Sequence, residues 1–287
     1  MRIFKVEDAA DGSATPGAVF TASINQKAIP VLGTTLNYLK LSLKGAVSTA
    51  AVAIETFALL LSGLVLRKGA DNRIVLFGDE LVALSVFLYG ETPAIGENTD
   101  ATGNNFLGNI KIPINDKFDQ NAQFLYQLDR AAQTNIATET LSLTAYSDVE
   151  PDGKKPIHAV RIPHTTAGTA GIEQFQPRIP SVGTLKAIMI KVPNGFADGN
   201  IDTSVQRLKL LSGGQEIASW NDLTDAKTLI DNMDYVTPSP LADLLRPFRV
   251  FELGENGIDA KTNELSIAFD VQDVSDAIVV IPILEIA

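Results

Sequence analysis

The chain has 287 residues, 45% hydrophobic and 20% charged, with a formal net charge of −11. It has no cysteine, which excludes disulfide frameworks, thiolate metal sites and cysteine nucleophiles. No basic run is longer than Lys154-Lys155, so the clustered cations that a phosphate backbone demands are missing and direct nucleic-acid binding is not expected.

Residues 1–30 read as an N-terminal arm. The opening, "MRIFKVEDAADGSATPG", has no continuous apolar segment and turns acidic within a few residues, so it predicts no secretory signal. The first clear strand follows at 35–45, "TLNYLKLSLKG", where apolar and polar residues alternate as in a half-buried strand. The next stretch, "GAVSTAAVAIETFALLLSGLVL" (45–66), is long enough to span a bilayer, which takes about 20 apolar residues. Glu55 near its middle, the polar Thr49, Thr56 and Ser62, and the absence of a one-sided Lys/Arg flank oppose a span. It reads instead as a core strand region.

Further along, "RIVLFG" predicts a strand and Asp79-Glu80-Leu81 the start of a short helix, with Asp79 as a suitable N-cap. Extended runs follow at 109–116 ("NIKIPIND"), 140–149 ("TLSLTAYSDV") and 156–163 ("PIHAVRIP"). The small, polar, proline-bearing stretch 164–183 reads as a linker between domains.

Beyond the linker the pattern returns in the same order. "TLKAIMIKVPNG" (184–195) matches 35–45, and "LKLLSGGQEIASWNDLTDAKTLI" (208–230) matches 59–87, with Asn221 in the place of Asp79. "RPFRVFELG" (246–254) matches 109–116 and "ELSIAFDVQDV" (264–274) matches 140–149, and each half closes with another extended run, 156–163 in the first and "AIVVIPILEI" (277–286) in the second. Four matched segments in one order indicate a duplication. Short strands, with fourteen prolines and twenty-one glycines marking turns, predict an all-β fold: two tandem jelly-roll β-sandwiches with short helices in the connections. The expected division is an arm over 1–30, a first jelly roll over 31–170 and a second over 171–287.

Chemistry-bearing patterns are sparse. The two histidines, His158 and His164, have neither the helical i, i+4 spacing nor the third ligand of a zinc site. No nucleophile elbow, P-loop or dinucleotide fingerprint is present, and no enzyme activity is expected. "DGNID" (198–202) sets oxygens at Asp198, Asn200 and Asp202, the ligand type calcium takes, and these are the metal candidates. Thr203 and Lys209 stand where a full calcium loop has glycine and glutamate, so a plain turn explains the segment equally. No other cofactor is suggested. The long stretches 91–105 and 231–247 suit contact or ligand-holding loops.

The tandem pattern, with a helix start after "RIVLFGDEL" and "QEIASWNDL", resembles the double-jelly-roll major capsid proteins of icosahedral, membrane-containing viruses of the corticovirus and tectivirus type. The likeness covers roughly residues 30–286 and rests on repeat order, because the family has no strict motif. It implies a structural protein that forms homotrimers of pseudo-hexagonal outline. It implies contacts with neighbouring capsomers, other virion proteins and an internal viral membrane, and a place in the virion after assembly in the host cytoplasm. The competing reading is a carbohydrate-binding jelly-roll module, for which one tryptophan, Trp220, and five tyrosines are a thin supply of aromatic platforms.

Overall fold

The computed structural model describes residues 2–12, 24–31, 33–47, 61–90, 95–97, 105–130, 136–147, 155–166, 171–175, 178–192, 205–220, 227–228, 244–271 and 277–286. The described chain is built of strands with one longer helix. It divides into two compact units, residues 1–157 with 233–244, and residues 158–232 with 245–287.

The first unit holds β1 (Arg2–Gly12), β2 (Ile24–Ala28), β3 (Thr35–Val47), β4 (Leu61–Lys68), β5 (Asp71–Leu76), α1 (Gly78–Tyr89), β6 (Ile95–Glu97), β7 (Asn105–Lys117), β8 (Phe124–Arg130) and β9 (Ile136–Ser147). One of its sheets runs β1-β9-β3-β7-β6, and the other contains the order β2-β8-β4-β5. Period-2 burial explains the choice of elements. Leu36, Leu39 and Leu41 on β3, Ile110, Ile112 and Ile114 on β7, and Phe124, Tyr126 and Leu128 on β8 are all buried, each adding about 1.5–3 kcal/mol.

The second unit holds β10 (Ile157–Val160, entering from the boundary), β11 (Ile162–Thr165), β12 (Gly171–Phe175), β13 (Thr184–Lys191), β14 (Val205–Ser212), β15 (Gln215–Trp220), β16 (Lys227–Thr228), β17 (Phe248–Glu252), β18 (Ile258–Asp259), β19 (Leu265–Val271) and β20 (Ala277–Glu285). Its sheets contain β11-β20-β13-β17 and β12-β19-β14-β15. Leu185, Ile188, Ile190, Leu208, Leu210, Phe251, Ile267, Phe269 and Val280 meet in one core between them.

Without the short β6, β16 and β18 and the boundary strand β10, both units thread eight strands in one order. If the strands of each are numbered one to eight, the sheets read 1-8-3-6 and 2-7-4-5 in both. Strands that follow one another lie mostly in opposite sheets, and a late strand returns beside an early one, which is the jelly roll. The short β6 and β16 each add to the sixth strand of their unit.

Four expectations from sequence change. Within 1–30, residues 2–12 and 24–28 are paired strands and not a free arm: β1 pairs along β9, from Arg2 opposite Ser147 to Gly12 opposite Thr138, and β2 pairs with β8. They are the first two strands of the first jelly roll. Among the described strands β1 lies at the edge of its sheet. Second, "PIHAVRIP" does not close the first half. It supplies β10 and β11, which open the second unit, so the division falls near residue 157 and not at 170.

Third, the sequence match of 140–149 with 264–274 is off by one strand. In strand order β8 corresponds to β19, and β9 to β20. Fourth, α1 begins at Gly78 with Phe77 as N-cap, and Asp79 sits inside the first turn. Glu80 does the capping: its carboxylate accepts the Phe77 amide at 2.9 Å. Asn221, the matching start, lies outside the described residues, as do 48–60 of the long apolar stretch. Residues 61–66 of that stretch form β4, with Leu61, Leu64 and Leu66 buried. No described helix is long and apolar enough to cross a membrane.

Candidate functional site

The histidines do not form a site. His158 lies buried on β10, and His164 on β11 stacks on Phe269 with ring centroids 6.1 Å apart. Among the described residues no group of three or more His, Cys, Asp or Glu could hold a metal ion. Asp198, Asn200 and Asp202, the calcium candidates, lie outside the described residues.

A small open depression of about 280 Å³ lies in the second unit, lined by Arg178, Ile179, Ser181, Lys261, Thr262 and Glu264 among others. An Arg178–Glu264 ion pair and the buried Ile179 form part of its wall. Asp259 braces one side: its carboxylate accepts the Lys261 amide at 2.9 Å and the Thr262 hydroxyl at 2.8 Å. The Lys261 bond, then the Thr262 hydroxyl, hold the Asp259 pKa below the usual carboxylate value. No aromatic residue lines the depression, so it offers no stacking platform for a sugar ring. Trp220 is taken up elsewhere, packed edge-on against Phe251 at 5.2 Å at the margin of the second core.

Two polar groupings in the first unit were not foreseen from sequence. Tyr38 on β3 stacks on Tyr146 of β9 at 4.3 Å, and the Lys111 ammonium lies 4.7 Å from the Tyr38 ring and 4.0 Å from that of Tyr89. This ties α1 to the sheet it covers. The second grouping is Lys68, Arg73 and Asp116, an ion cluster between the two sheets. The Lys68 ammonium donates to Asp116 Oδ1 at 2.8 Å, and Arg73 Nε lies 3.5 Å from Asp116 Oδ2. The only sequence hint was the charged turn "RKGADNR" (67–73), which on its own marks any hairpin.

What the described residues offer, then, is a doubled scaffold. No protein-family model matches the sequence, and comparison with curated proteins finds no significant match. Solved structures do match, over nearly the whole chain. The major capsid protein of Sulfolobus turreted icosahedral virus is 14% identical, with a TM-score of 0.67 over 99% of this chain and 97% of that one. The major capsid protein P2 of bacteriophage PM2 is 9% identical, with a TM-score of 0.58 over 98% of each chain. A chain of the PBCV-1 virus capsid is 9% identical, with a TM-score of 0.59 over 99% of this chain and 93% of that one. The chain has the double-jelly-roll fold of these viral capsid proteins.

Proposed function

We propose that this protein is a structural component of an icosahedral viral shell, a major capsid protein without catalytic activity. The observation that carries the reading is the pair of eight-stranded jelly rolls of identical strand order, in a chain that the known capsid proteins match almost end to end. The finer reading is a homotrimer: two jelly rolls per subunit and three subunits give six similar blocks, a pseudo-hexagonal tile that packs against its own copies. Other virion proteins and an internal membrane are the further partners of this reading. Calcium at Asp198, Asn200 and Asp202 belongs to it as well. Calcium-dependent stability that EDTA removes, and that Asp198→Asn abolishes, is its test.

The main experiment is light scattering and negative-stain imaging of the purified protein. A mass three times that of the 30.7 kDa chain, with flat particles of six-sided outline, is the expected result. A monomer at micromolar concentration across salt conditions would sink the capsomer. The sugar-binding alternative is disfavoured by the packed position of Trp220 and the depression without aromatics.

A further inference from the structure

The ion cluster of the first unit carries more positive charge than it answers. Lys68, Arg73 and Asp116 have side chains 13%, 15% and 11% exposed, so two cations and one carboxylate share a largely covered space. Asp116 Oδ1 is engaged by Lys68 and by the Lys117 amide. Arg73 is left with one ion-pair contact at 3.5 Å. Its Nε has no solvent access and no hydrogen bond among the described residues; Asp116 Oδ2, which faces it at 3.5 Å, and Asn115 Nδ2, one residue from Asp116, are in the same condition. A guanidinium has five N–H donors, and a buried donor without a partner loses about 1–3 kcal/mol. Unsatisfied groups of this kind call for an explanation, among them stored strain and a bound water or ion.

The backbone is shaped to make this cluster. The register of β4 with β5 passes from Leu66–Ile74 to Arg67–Asn72, which leaves Arg73 as the extra residue of a bulge. The register of β3 with β7 breaks between Leu36–Asp116 and Tyr38–Pro113, and there Asn115 takes a left-handed φ of 51°. Bulges re-aim side chains, and backbone strain of this kind concentrates at working sites. Two bulges, one in each sheet, bring Arg73 and Asp116 together. Asp71 and Asp119, the acids nearest in sequence, are both exposed.

We infer that Lys68 and Arg73 form a binding site for a small oxyanion of the phosphate class, with the Arg73 guanidinium as its principal donor. The guanidinium fork matches a phosphate edge, and the Lys68 ammonium supplies a second positive charge. Asp116 positions both cations and opposes the ligand by its own charge. That opposition separates the proposal from a purely structural cluster.

The test is calorimetric titration of the full chain with inorganic phosphate at constant ionic strength, with Lys261→Gln as a surface-charge control. One saturable site per chain is expected, with a Kd on the order of 1 mM or tighter. Arg73→Gln should weaken it at least tenfold, and Asp116→Asn should tighten it while Lys261→Gln changes nothing. If Arg73→Gln fails to fold, Arg73→Lys keeps the charge, loses the fork and should weaken binding in the same direction. Phosphatidate vesicles distinguish the source: pelleting that depends on Arg73 indicates a lipid headgroup, and phosphate heat without pelleting indicates a free ion. Absence of saturable heat, or a Kd unchanged by the Arg73 variants, overturns the assignment.

Discussion

Gly183 and Gly213 both have a positive φ and have opposite surroundings, and the pair isolates what space contributes. Gly183 has φ +82°, and a Cβ there would lie 2.0 Å from the carbonyl oxygen of Glu285. Gly213 has φ +56°, with nothing within 4 Å of the same atom. Substitution by alanine places an L side chain in the left-handed region in both cases, at a cost of about 1–2 kcal/mol. At Gly183 the clash is with backbone, so the end of β20 must move away from the start of β13. That movement breaks the Thr184–Glu285 pairing and strains the 2.9 Å bond from the Ala260 amide to the Gly183 carbonyl. Each lost bond is worth about 1 kcal/mol. Gly183→Ala should therefore lose about 3–5 kcal/mol, a large share of a typical total of about 5–15 kcal/mol, and Gly213→Ala about 1–2 kcal/mol. Urea unfolding followed by Trp220 fluorescence reads this, because the sole tryptophan sits in the second unit beside Phe251. With a slope of about 2 kcal/mol per molar, the two midpoints should differ by roughly 1 M. Midpoints within about 0.2 M of each other, at the same slope, would refute the reasoning.

Glu80→Ala should destabilise the first unit by about 1–3 kcal/mol, because the Phe77 amide at the start of α1 loses its acceptor; an unchanged unfolding curve would contradict the capping role. Asp259 gives a pH dependence of known sign. Its folded pKa is depressed, so its contribution is present above the unfolded value near 3.8 and fades as pH falls through the folded value. Wild type and Asp259→Asn should converge in stability in acid and separate above pH ~4, and a gap that is constant with pH would count against it. Deleting residues 1–12 should destabilise the first unit and not merely impair assembly, because β9 loses one of its two partner strands; amide exchange across β9 identical to that of the full chain would show that β1 is dispensable.

The sequence made β3 and β13 plain because apolar and polar residues alternate along them, although β13 is buried without a break from Ala187 to Ile190, and each occupies the same place in its own unit. The duplication was visible there for that reason. It went astray at the ends of each half. β20 is buried along nearly its whole length, so its continuous apolar run carries no face and no register. β1 fails in the opposite way, as an acidic edge strand with no alternation to betray it. Which late strand returns beside which early one is decided by pairings such as Leu41 with Leu143, about a hundred residues apart. Local pattern is blind to that. The Lys68–Arg73–Asp116 cluster was hidden for the same reason, since two bulges in different sheets create it and neither leaves a sequence mark.

Among the described residues the two halves differ most between the fifth and sixth strands, and the second unit also adds β18 between its sixth and seventh. Between the fifth and sixth strands the first unit inserts α1 and β6, whereas the second inserts β16 within a stretch of similar extent, 221–247. Loop closure grows only slowly with length, by about 0.6 kcal/mol per doubling, so a jelly roll carries such insertions at little loss of stability. The strand order, by contrast, has survived a divergence that leaves only scattered sequence matches between the halves. A fold that holds its sheets constant and varies its connections can keep a common block while changing what the block touches. That division of labour is what a repeated shell tile requires, and it needs no pocket, metal or nucleophile.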